Sequence, residues 1–165
     1  MRVPTRRYDK KPSKLDPYIT LEKKEKLEKE LIKLKKIDRP IAIEEMQLAA
    51  SDGDFSENAP YQAAKWKLRK INNSILKIEN MLINAEIIKK TKKSNSIKLG
   101  SYVTLKFNNT TKQFQILGSS ETNPSKGIIS HQSPLGLALM SKQVGDTVKI
   151  KTNNKTINYE IIKIS

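Results

Sequence analysis

The apolar positions between residues 64 and 85 have the spacing of a coiled coil. They follow one another at alternating intervals of four and three, and they are Ala64, Leu68, Ile71, Ile75, Ile78, Leu82 and Ala85. This spacing places all of these side chains on one face of a helix and continues for about three heptads. We therefore predict a long helix here, which at about 1.5 Å per residue would be roughly 40 Å long.

The preceding segment has a less regular seam. Its apolar positions are Leu27, Leu31, Leu34, Ile41 and Leu48, and its two polar positions are Asp38 and Glu45. Pro40 lacks a backbone N–H and clashes with the preceding helical turn, so we expect this arm to break near Arg39 and to restart with Pro40 in the first turn. Between the arms, Gly, Asn and Pro residues at 51–60 predict a turn. Two helices joined by a short turn run antiparallel, so the two segments predict a helical hairpin.

From Gly100 onward, apolar and polar residues alternate instead. The alternation predicts short strands at 102–107, 113–117, 128–129, 147–150 and 156–162, with Asn-Asn turns at 108–109 and 153–154. Ser133 and Pro134, before an apolar run that ends at Met140, predict a short capped helix. A two-helix hairpin has a thin core and is expected to lean on this domain. The predicted fold class is α+β, with an N-terminal antiparallel helical hairpin followed by a small antiparallel β-sheet and one short helix.

Composition and charge divide the chain in the same way. The 165 residues include 32 Lys and Arg and 17 Asp and Glu, and the net charge of +15 favours polyanionic partners such as nucleic acid or an acidic protein surface. Residues 1–17 combine basic side chains and prolines with few large aliphatics, so we predict a flexible basic tail there. A hairpin at 18–96, with an acidic tip at 52–60, and a sheet domain at 97–165 would follow.

Several classes of chemistry are excluded. With no cysteine, the chain has no disulfide, thiolate zinc site or cysteine nucleophile, and its single histidine, His131, leaves no histidine pair for a metal or a triad. Ser133 has no His and Asp arrangement of the kind that a serine hydrolase needs. The sequence has no apolar run of roughly 18 residues and no signal-peptide pattern, so we expect a cytoplasmic protein without membrane contact.

Asp54 and Glu57 form the most notable acid pair in the chain. An acid followed three residues later by Glu, just before a helix, is a capping box, and carboxylates there also suit the positive end of the helix dipole. The alternative is a metal role, because Mg²⁺ takes oxygen ligands, usually one or two protein carboxylates completed by water and phosphate. The turn has too few ligands for a closed site, but it could complete the metal site of a partner. Ser56 could likewise orient a water or cap the helix.

Two stretches of the sequence carry a family resemblance. Residues 50–61, ASDGDFSENAPY, resemble the tip signature G-D-x-x-E-N-A-x-Y of the bacterial GreA/GreB transcript cleavage factors. Residues 129–139, together with 145–146, resemble the S-P-x-x-x-A-L segment of the C-terminal FKBP-like domain of that family. Pro40 matches a third family feature, a helical break in the first arm. The resemblance covers about residues 18–165.

The resemblance implies a specific activity. Factors of this family bind RNA polymerase through the C-terminal domain and insert the coiled coil into its secondary channel. Two tip acids then help to hold the second Mg²⁺ and to position a water that cuts the 3′ end of a backtracked transcript. By motif position these acids are Asp54 and Glu57, and the neighbours that shape the tip are Ser56, Asn58 and Tyr61. The ion belongs mostly to the polymerase, so the resemblance implies an accessory factor and not an enzyme.

Charge and expected exposure indicate which surfaces could meet the partners. The basic residues of the second arm that would face the nascent RNA 3′ end are Lys65, Lys67, Arg69 and Lys70. Such residues neutralise phosphates, although a solvated helix surface has the same composition. The polymerase-binding residues of the sheet domain would be Ser133, Pro134, Leu135 and Leu137. The implied protein is a monomer that binds no ion tightly when free and reaches the nucleoid through the polymerase.

Two other hypotheses stay open. The family commonly carries an acid at the position of Pro60, so the tip has one carboxylate fewer, although Asp52 could partly replace its charge. The first alternative is therefore an inhibitor that occupies the polymerase channel without promoting cleavage, and the retention of Asp54 and Glu57 argues against it. The second alternative is a general protein that binds RNA or DNA, which rests only on the net charge and the tail.

Overall fold

The computed structural model describes residues 16–51, 58–89, 95–108, 110–152 and 155–165. This part of the chain forms a long helical hairpin and a small β-sheet domain, so the predicted α+β class is confirmed. Residues 1–15 of the predicted tail lie outside the described residues, as do the predicted site residues Asp54, Ser56 and Glu57. Within the described ranges, no helix combines the length and the apolar character that crossing a membrane requires.

The hairpin consists of two helical arms. The first arm is built from α1 (Leu21–Lys33), a five-residue π-helix (Leu34–Asp38) and α2 (Arg39–Ser51). The second arm is a single helix of 25 residues, α3 (Ala59–Ile83). At about 1.5 Å per residue, α3 is about 37 Å long. The seam predicted for the second arm is confirmed, because each of its residues is buried or half-buried.

The break predicted near Arg39 is a π-helical segment and not an interruption of the helix. Within it, the Arg39 N–H donates to the carbonyl of Leu34, five residues earlier. Pro40 follows in the first turn of α2, as predicted, and the wider π-helical turn accommodates its missing N–H. A π-helical turn holds one residue more than an α-helical turn, so every later seam position moves along the chain by one residue.

The seam predicted for the far half of the first arm is therefore wrong by one position. Ile41 and Leu48 are 46% and 72% exposed, whereas the residues that follow them, Ala42 and Ala49, are buried. Glu45 has likewise left the seam and is exposed. Small alanine side chains at the seam allow the two arms to approach each other closely near the tip.

The base of the hairpin is closed by two short strands. β1 (Tyr18–Ile19) and β2 (Glu86–Ile87) pair in parallel, and the Glu86 N–H donates to the carbonyl of Pro17 at 2.8 Å. A small apolar cluster lies beside them, and its buried residues are Ile19, Leu27 and Ile78. Asp16 and Pro17, which the sequence assigned to the tail, are thus part of the folded structure.

The sheet domain contains five strands. In chain order they are β3 (Tyr102–Phe107), β4 (Thr110–Leu117), β5 (Ile128–Ser130), β6 (Thr147–Thr152) and β7 (Lys155–Ile164). Their order in the sheet is β5-β4-β3-β7-β6, and every neighbouring pair is antiparallel except β4 and β5, which are parallel. The predicted antiparallel sheet is therefore a mixed one. The connection at 118–127 forms two 3-10 turns instead of a tight hairpin, so β5 starts from the same end of the sheet as β4.

The core of the sheet domain joins the sheet to α4 (Pro134–Leu139), the short helix predicted there. Its buried residues are Ile97, Val103, Leu105, Ile116, Ile129, Leu139, Val148 and Ile161. A β-carbon at Gly136 would come within 2.0 Å of the Ser130 carbonyl oxygen. Only glycine therefore lets α4 lie this close to the end of β5.

Candidate functional site

The tip end of the hairpin is held together by Asn58. This residue is the N-cap of α3, where its side-chain oxygen accepts a hydrogen bond from the Tyr61 N–H at 2.8 Å. Its side-chain amide donates to the carbonyl of Ala49, in the last turn of α2, at 2.6 Å. One side chain therefore caps the second arm and also binds it to the first.

The position of this N-cap excludes one of the two explanations of the acid pair. A capping box made by Asp54 and Glu57 requires the N-cap at Asp54, but α3 begins directly after Asn58. Pro60 lies in the first turn of α3, where the N–H that it lacks would have no helical acceptor. The capping-box explanation is therefore wrong, as is a capping role for Ser56 at this helix. The metal role of the pair stays a prediction.

Connectivity assigns the predicted acids to this end of the hairpin. Asp54 and Glu57 belong to the segment 52–57, which joins the last residue of α2 to the N-cap of α3. α3 separates this segment from the base of the hairpin by about 37 Å. Among the residues that the structure describes, no group of three or more His, Cys, Asp or Glu side chains could hold a metal ion.

The predicted RNA-binding residues lie on two flanks of α3. Lys65 and Arg69 are four residues apart on one flank, and Lys67 and Lys70 are three apart on the other. All of these side chains are exposed. The Lys65 Nζ atom lies 5.9 Å from the centre of the Tyr61 ring, a distance that suits a cation–π contact.

Lys67 has an acidic partner that the sequence analysis did not predict. Its Nζ atom lies 2.7 Å and 2.6 Å from the two carboxylate oxygens of Glu45, on the first arm. Glu45 reaches this position because the π-helical segment has moved it out of the seam. Within the described part of the chain, Arg69 and Lys70 have no acidic partner. These two side chains are therefore the stronger candidates for binding a phosphate group.

The residues predicted to bind a polymerase have different places in the sheet domain. Ser133 is the N-cap of α4, and its hydroxyl accepts from the Gly136 N–H at 3.1 Å and donates to the end of β5 at 2.6 Å. Leu135 packs against the core. Pro134 and Leu137 are exposed, and Leu137 keeps 64% of its surface in solvent. Of the predicted set, these two offer their side chains to a partner.

A polar cluster between the hairpin and the sheet domain was not predicted. The Asp16 carboxylate, which is 4% exposed, accepts from the Ser119 N–H at 2.7 Å, the Ser119 hydroxyl at 2.8 Å and the Tyr18 N–H at 3.2 Å. The Nδ1 atom of His131 lies 3.4 Å from the same carboxylate. Burial raises the pKa of Asp16, but the hydrogen bonds from Ser119 and Tyr18 and the nearby His131 outweigh it, so the pKa lies below its ordinary value of 3.8. No local sequence pattern indicates this cluster, because Asp16 and Ser119 are 103 positions apart.

Two family models match the chain. The model "Transcription elongation factor, N-terminal" matches residues 17–87, and "Transcription elongation factor, GreA/GreB, C-term" matches residues 91–165. The chain is 40% identical over 149 residues to transcription elongation factor GreA of Staphylococcus saprophyticus, which covers 88% of this chain and 94% of that protein. It is 41% identical over 140 residues to transcription elongation factor GreA of Ruegeria pomeroyi, which covers 84% and 90%. Among solved structures, GreA factor homolog 1 (Gfh1) of Thermus thermophilus aligns with a TM-score of 0.42 and 24% identity, over 91% of this chain and 99% of that chain.

Proposed function

Because the chain belongs to the GreA/GreB family of transcription elongation factors, we propose that it stimulates cleavage of the RNA 3′ end in backtracked complexes of bacterial RNA polymerase. The sheet domain binds the polymerase, and the hairpin enters the secondary channel with its tip toward the active centre. The protein is then an accessory factor, because the nuclease activity belongs to the polymerase.

The observation that supports this proposal is the closed end of a stiff hairpin, to which the chain connects the acid pair. Asp54 and Glu57 lie in the six-residue segment that joins the two arms, 52–57. Asn58 binds the two arms to each other beside this segment, through its bonds to Ala49 and Tyr61. A rod of about 37 Å closed in this way delivers carboxylates to a site that the bulk of the protein does not enter.

The chemistry of the tip follows from its donor set. Asp54 and Glu57 supply carboxylate oxygens, the ligand type that Mg²⁺ prefers, but too few of them for a complete site. They fit an ion that is held jointly with the polymerase. When bound, such an ion supplies Lewis-acid activation of a water or a phosphate oxygen. Ser56 stands between the two acids in the sequence, and its hydroxyl could orient a water.

The basic flanks of α3 support an orientation of the hairpin in which its tip faces the active centre of the polymerase. Arg69 and Lys70 are exposed and without acidic partners in the described part of the chain, so they can neutralise phosphates of the extruded RNA 3′ segment. Lys65 adds to one flank, while Lys67 contributes less because Glu45 already neutralises it. The RNA therefore runs along α3 toward the tip.

A cleavage assay on a halted elongation complex tests the proposal. The variant with Asp54→Asn and Glu57→Gln is expected to lower stimulated cleavage at least about 100-fold, the scale of losing a positioned catalytic group. Its affinity for the polymerase is expected to stay within about twofold of the wild type, because the sheet domain is untouched. A matched control with Glu25→Gln and Glu44→Gln removes the same charge from exposed positions on the first arm. Wild-type cleavage by the double tip variant would refute the proposal.

An inhibitor of the polymerase is the second candidate, and Pro60 is the observation that favours it. Pro60 occupies the first turn of α3 and leaves the tip with one carboxylate fewer than the family commonly has. In the same assay an inhibitor slows nucleotide addition and releases no RNA fragments. A cleavage factor releases short 3′ fragments and restores elongation.

A further inference from the structure

The start of the hairpin is bound by a carboxylate from the sheet domain. Thr20 is the N-cap of α1, and its N–H donates to Oε2 of Glu121 at 2.7 Å. The Thr20 hydroxyl donates to Oε1 of the same carboxylate at 2.6 Å and accepts from the Lys23 N–H at 3.2 Å. The two bonds to Glu121 connect positions that are 101 residues apart in the chain.

Glu121 completes a capping box that the local sequence leaves unfinished. In a capping box, an acid three residues after the N-cap accepts a hydrogen bond from the N–H of the N-cap residue. In α1 that position is Lys23, which has no acceptor atom. Glu121 takes over this role from the other domain, and its negative charge also suits the positive end of the helix dipole. The first turn of the hairpin is therefore finished only when the sheet domain is docked against it.

A second set of contacts joins the same two chain segments beside Glu121. Asp16 binds the backbone and the hydroxyl of Ser119, two residues before Glu121. A β-carbon at Gly118 would come within 1.9 Å of the Tyr18 carbonyl oxygen, so the two chain segments touch each other there. Residues 118–121 thus contact the segment 16–20 at Gly118 and Ser119 as well as at Glu121.

Ring packing between the hairpin base and the sheet domain includes an edge-to-face contact of Tyr18 with His131, whose ring centres lie 5.6 Å apart. The apolar cluster of the hairpin base and that of the sheet domain have no residue in common. A crevice of about 470 Å³ lies between them, lined in part by Lys23, Lys77, Ser119 and Ser120. Polar contacts such as those of Glu121 and Asp16 therefore contribute, beside this ring contact, to the angle between the hairpin and the sheet domain.

We propose that Glu121 is a positioning residue, which fixes the angle of the hairpin on the sheet domain and thereby the place of the tip. This inference rests on the proposed function, in which the sheet domain is held by the polymerase while the tip acts in its active centre. A tilt of about 10° at the base moves the end of a rod of about 37 Å by about 6 Å. Misplacement of about 1 Å can already cost about 100-fold in rate. Glu121, although it lies far from the tip, therefore influences the rate of transcript cleavage through the position of the tip.

The angle is measured with a pair of spin labels. Because the chain has no cysteine, Asn73→Cys on α3 and Lys149→Cys on β6 give two selective labelling sites, both exposed. The wild-type background is expected to give one narrow distance distribution, and Glu121→Ala is expected to broaden it at least twofold. Glu22→Ala, which removes an exposed acid from the first turn of α1, is the matched control and should leave the width unchanged. Thr20→Ser keeps both bonds to Glu121 and should also behave as the wild type.

The second measurement is the cleavage rate at saturating factor. Glu121→Ala is expected to lower it at least tenfold, with an affinity for the polymerase within twofold of the wild type and an unchanged helix content. If Glu121→Ala loses helix content, Glu121→Gln, which keeps one acceptor oxygen, takes its place in both measurements. A distribution as narrow as that of the wild type, or full cleavage despite a broadened one, would overturn the inference. Failure of the wild type itself to stimulate cleavage would instead refute the proposed function, and the distance distributions alone would then decide the role of Glu121.

Discussion

The side-chain amide of Asn58 donates a hydrogen bond of 2.6 Å to the backbone carbonyl of Ala49, so the N-cap of one arm closes the end of the other. Helix ends leave N–H and carbonyl groups without helical partners, and here one residue satisfies a group of each kind. The segment that carries the acid pair starts and ends on helices that are bound together. The tip of the hairpin is therefore anchored on both sides.

Two substitutions of Asn58 distinguish the contributions of its two hydrogen bonds to stability. Asn58→Ala removes both and is expected to lower the free energy of unfolding by about 1–2 kcal/mol. Asn58→Asp keeps the cap but loses the donor to Ala49, so we expect a loss of about 1 kcal/mol. Asn73→Ala, at an exposed position within α3, is the control and should cost nothing. Denaturant unfolding measures all three, and equal stability of Asn58→Asp and the wild type would show that the bond to Ala49 contributes nothing.

The one-residue shift of the first-arm seam gives a second prediction. Ala42 is fully buried, so Ala42→Leu should overpack the seam and cost about 1–3 kcal/mol. Ile41 is exposed, so Ile41→Lys should change the stability by no more than about 0.5 kcal/mol. Denaturant unfolding of the two variants decides between the registers. The heptad spacing without a π-helical segment predicts the reverse order, with Ile41→Lys the more damaging change.

The lowered pKa of Asp16 gives a prediction about pH. A carboxyl group with a pKa below its unfolded value stabilises the fold above that value and loses this contribution as the pH falls through its folded pKa. We therefore expect Asp16→Asn to lower the free energy of unfolding by about 1–3 kcal/mol at pH 7, the scale of hydrogen bonds to a charged group. The difference should begin to narrow near pH 4 and should disappear only when the pH falls below the folded pKa of Asp16. Urea unfolding of both proteins at a series of pH values measures this difference, and a gap that does not depend on pH would contradict it.

The ion pair between Glu45 and Lys67 predicts how salt affects cleavage. Glu45→Gln should change the stability by less than about 1 kcal/mol, because both side chains are about half exposed. It frees Lys67 to contact phosphate, so the activity should become more sensitive to salt. Glu79→Gln is the matched control, since its partner Lys35 lies on the first arm and away from the basic flanks of α3. An identical salt dependence of both variants and the wild type would mean that Lys67 does not meet the RNA.

Local sequence patterns predicted those helices and strands that depend on residues close to each other in the chain. The second-arm seam follows from residue spacing, α4 from Ser133 and Pro134, and the strands from alternation, and all of these are confirmed. The family resemblance carried by the tip motif is confirmed by the two family models. The shifted register was missed because the spacing of apolar residues through Ile41 and Leu48 fits a regular heptad pattern. A π-helical turn forms when an N–H bonds to the carbonyl five residues earlier instead of four, and the apolar spacing does not show this choice.

Of the two remaining misses, one involves a partner that is distant in the sequence and the other is local to the tip. Glu121 completes the cap of α1 across 101 positions, and the only local sign was the acid that is absent at Lys23. At the tip, the spacing of Asp54 and Glu57 fits a capping box, and that spacing favours the explanation that the structure contradicts. Asn58, four residues after Asp54, is as favourable an N-cap residue as Asp. Pro60, two residues later, is typical of a first helical turn and indicates that the helix begins after Asn58.

Cross-linking from the tip tests the central claim most directly. A single cysteine in place of Ser56, in a chain with no other cysteine, can carry a short photoreactive group into a backtracked elongation complex with labelled RNA. If the tip acids act at the active centre, the label is expected to join the transcript within the few nucleotides next to the cleavage site. Leu137→Asp, which places a charge on the surface proposed to bind the polymerase, should reduce the yield. Cross-links to the polymerase surface or to upstream RNA, with none near the cleavage site, would contradict the account.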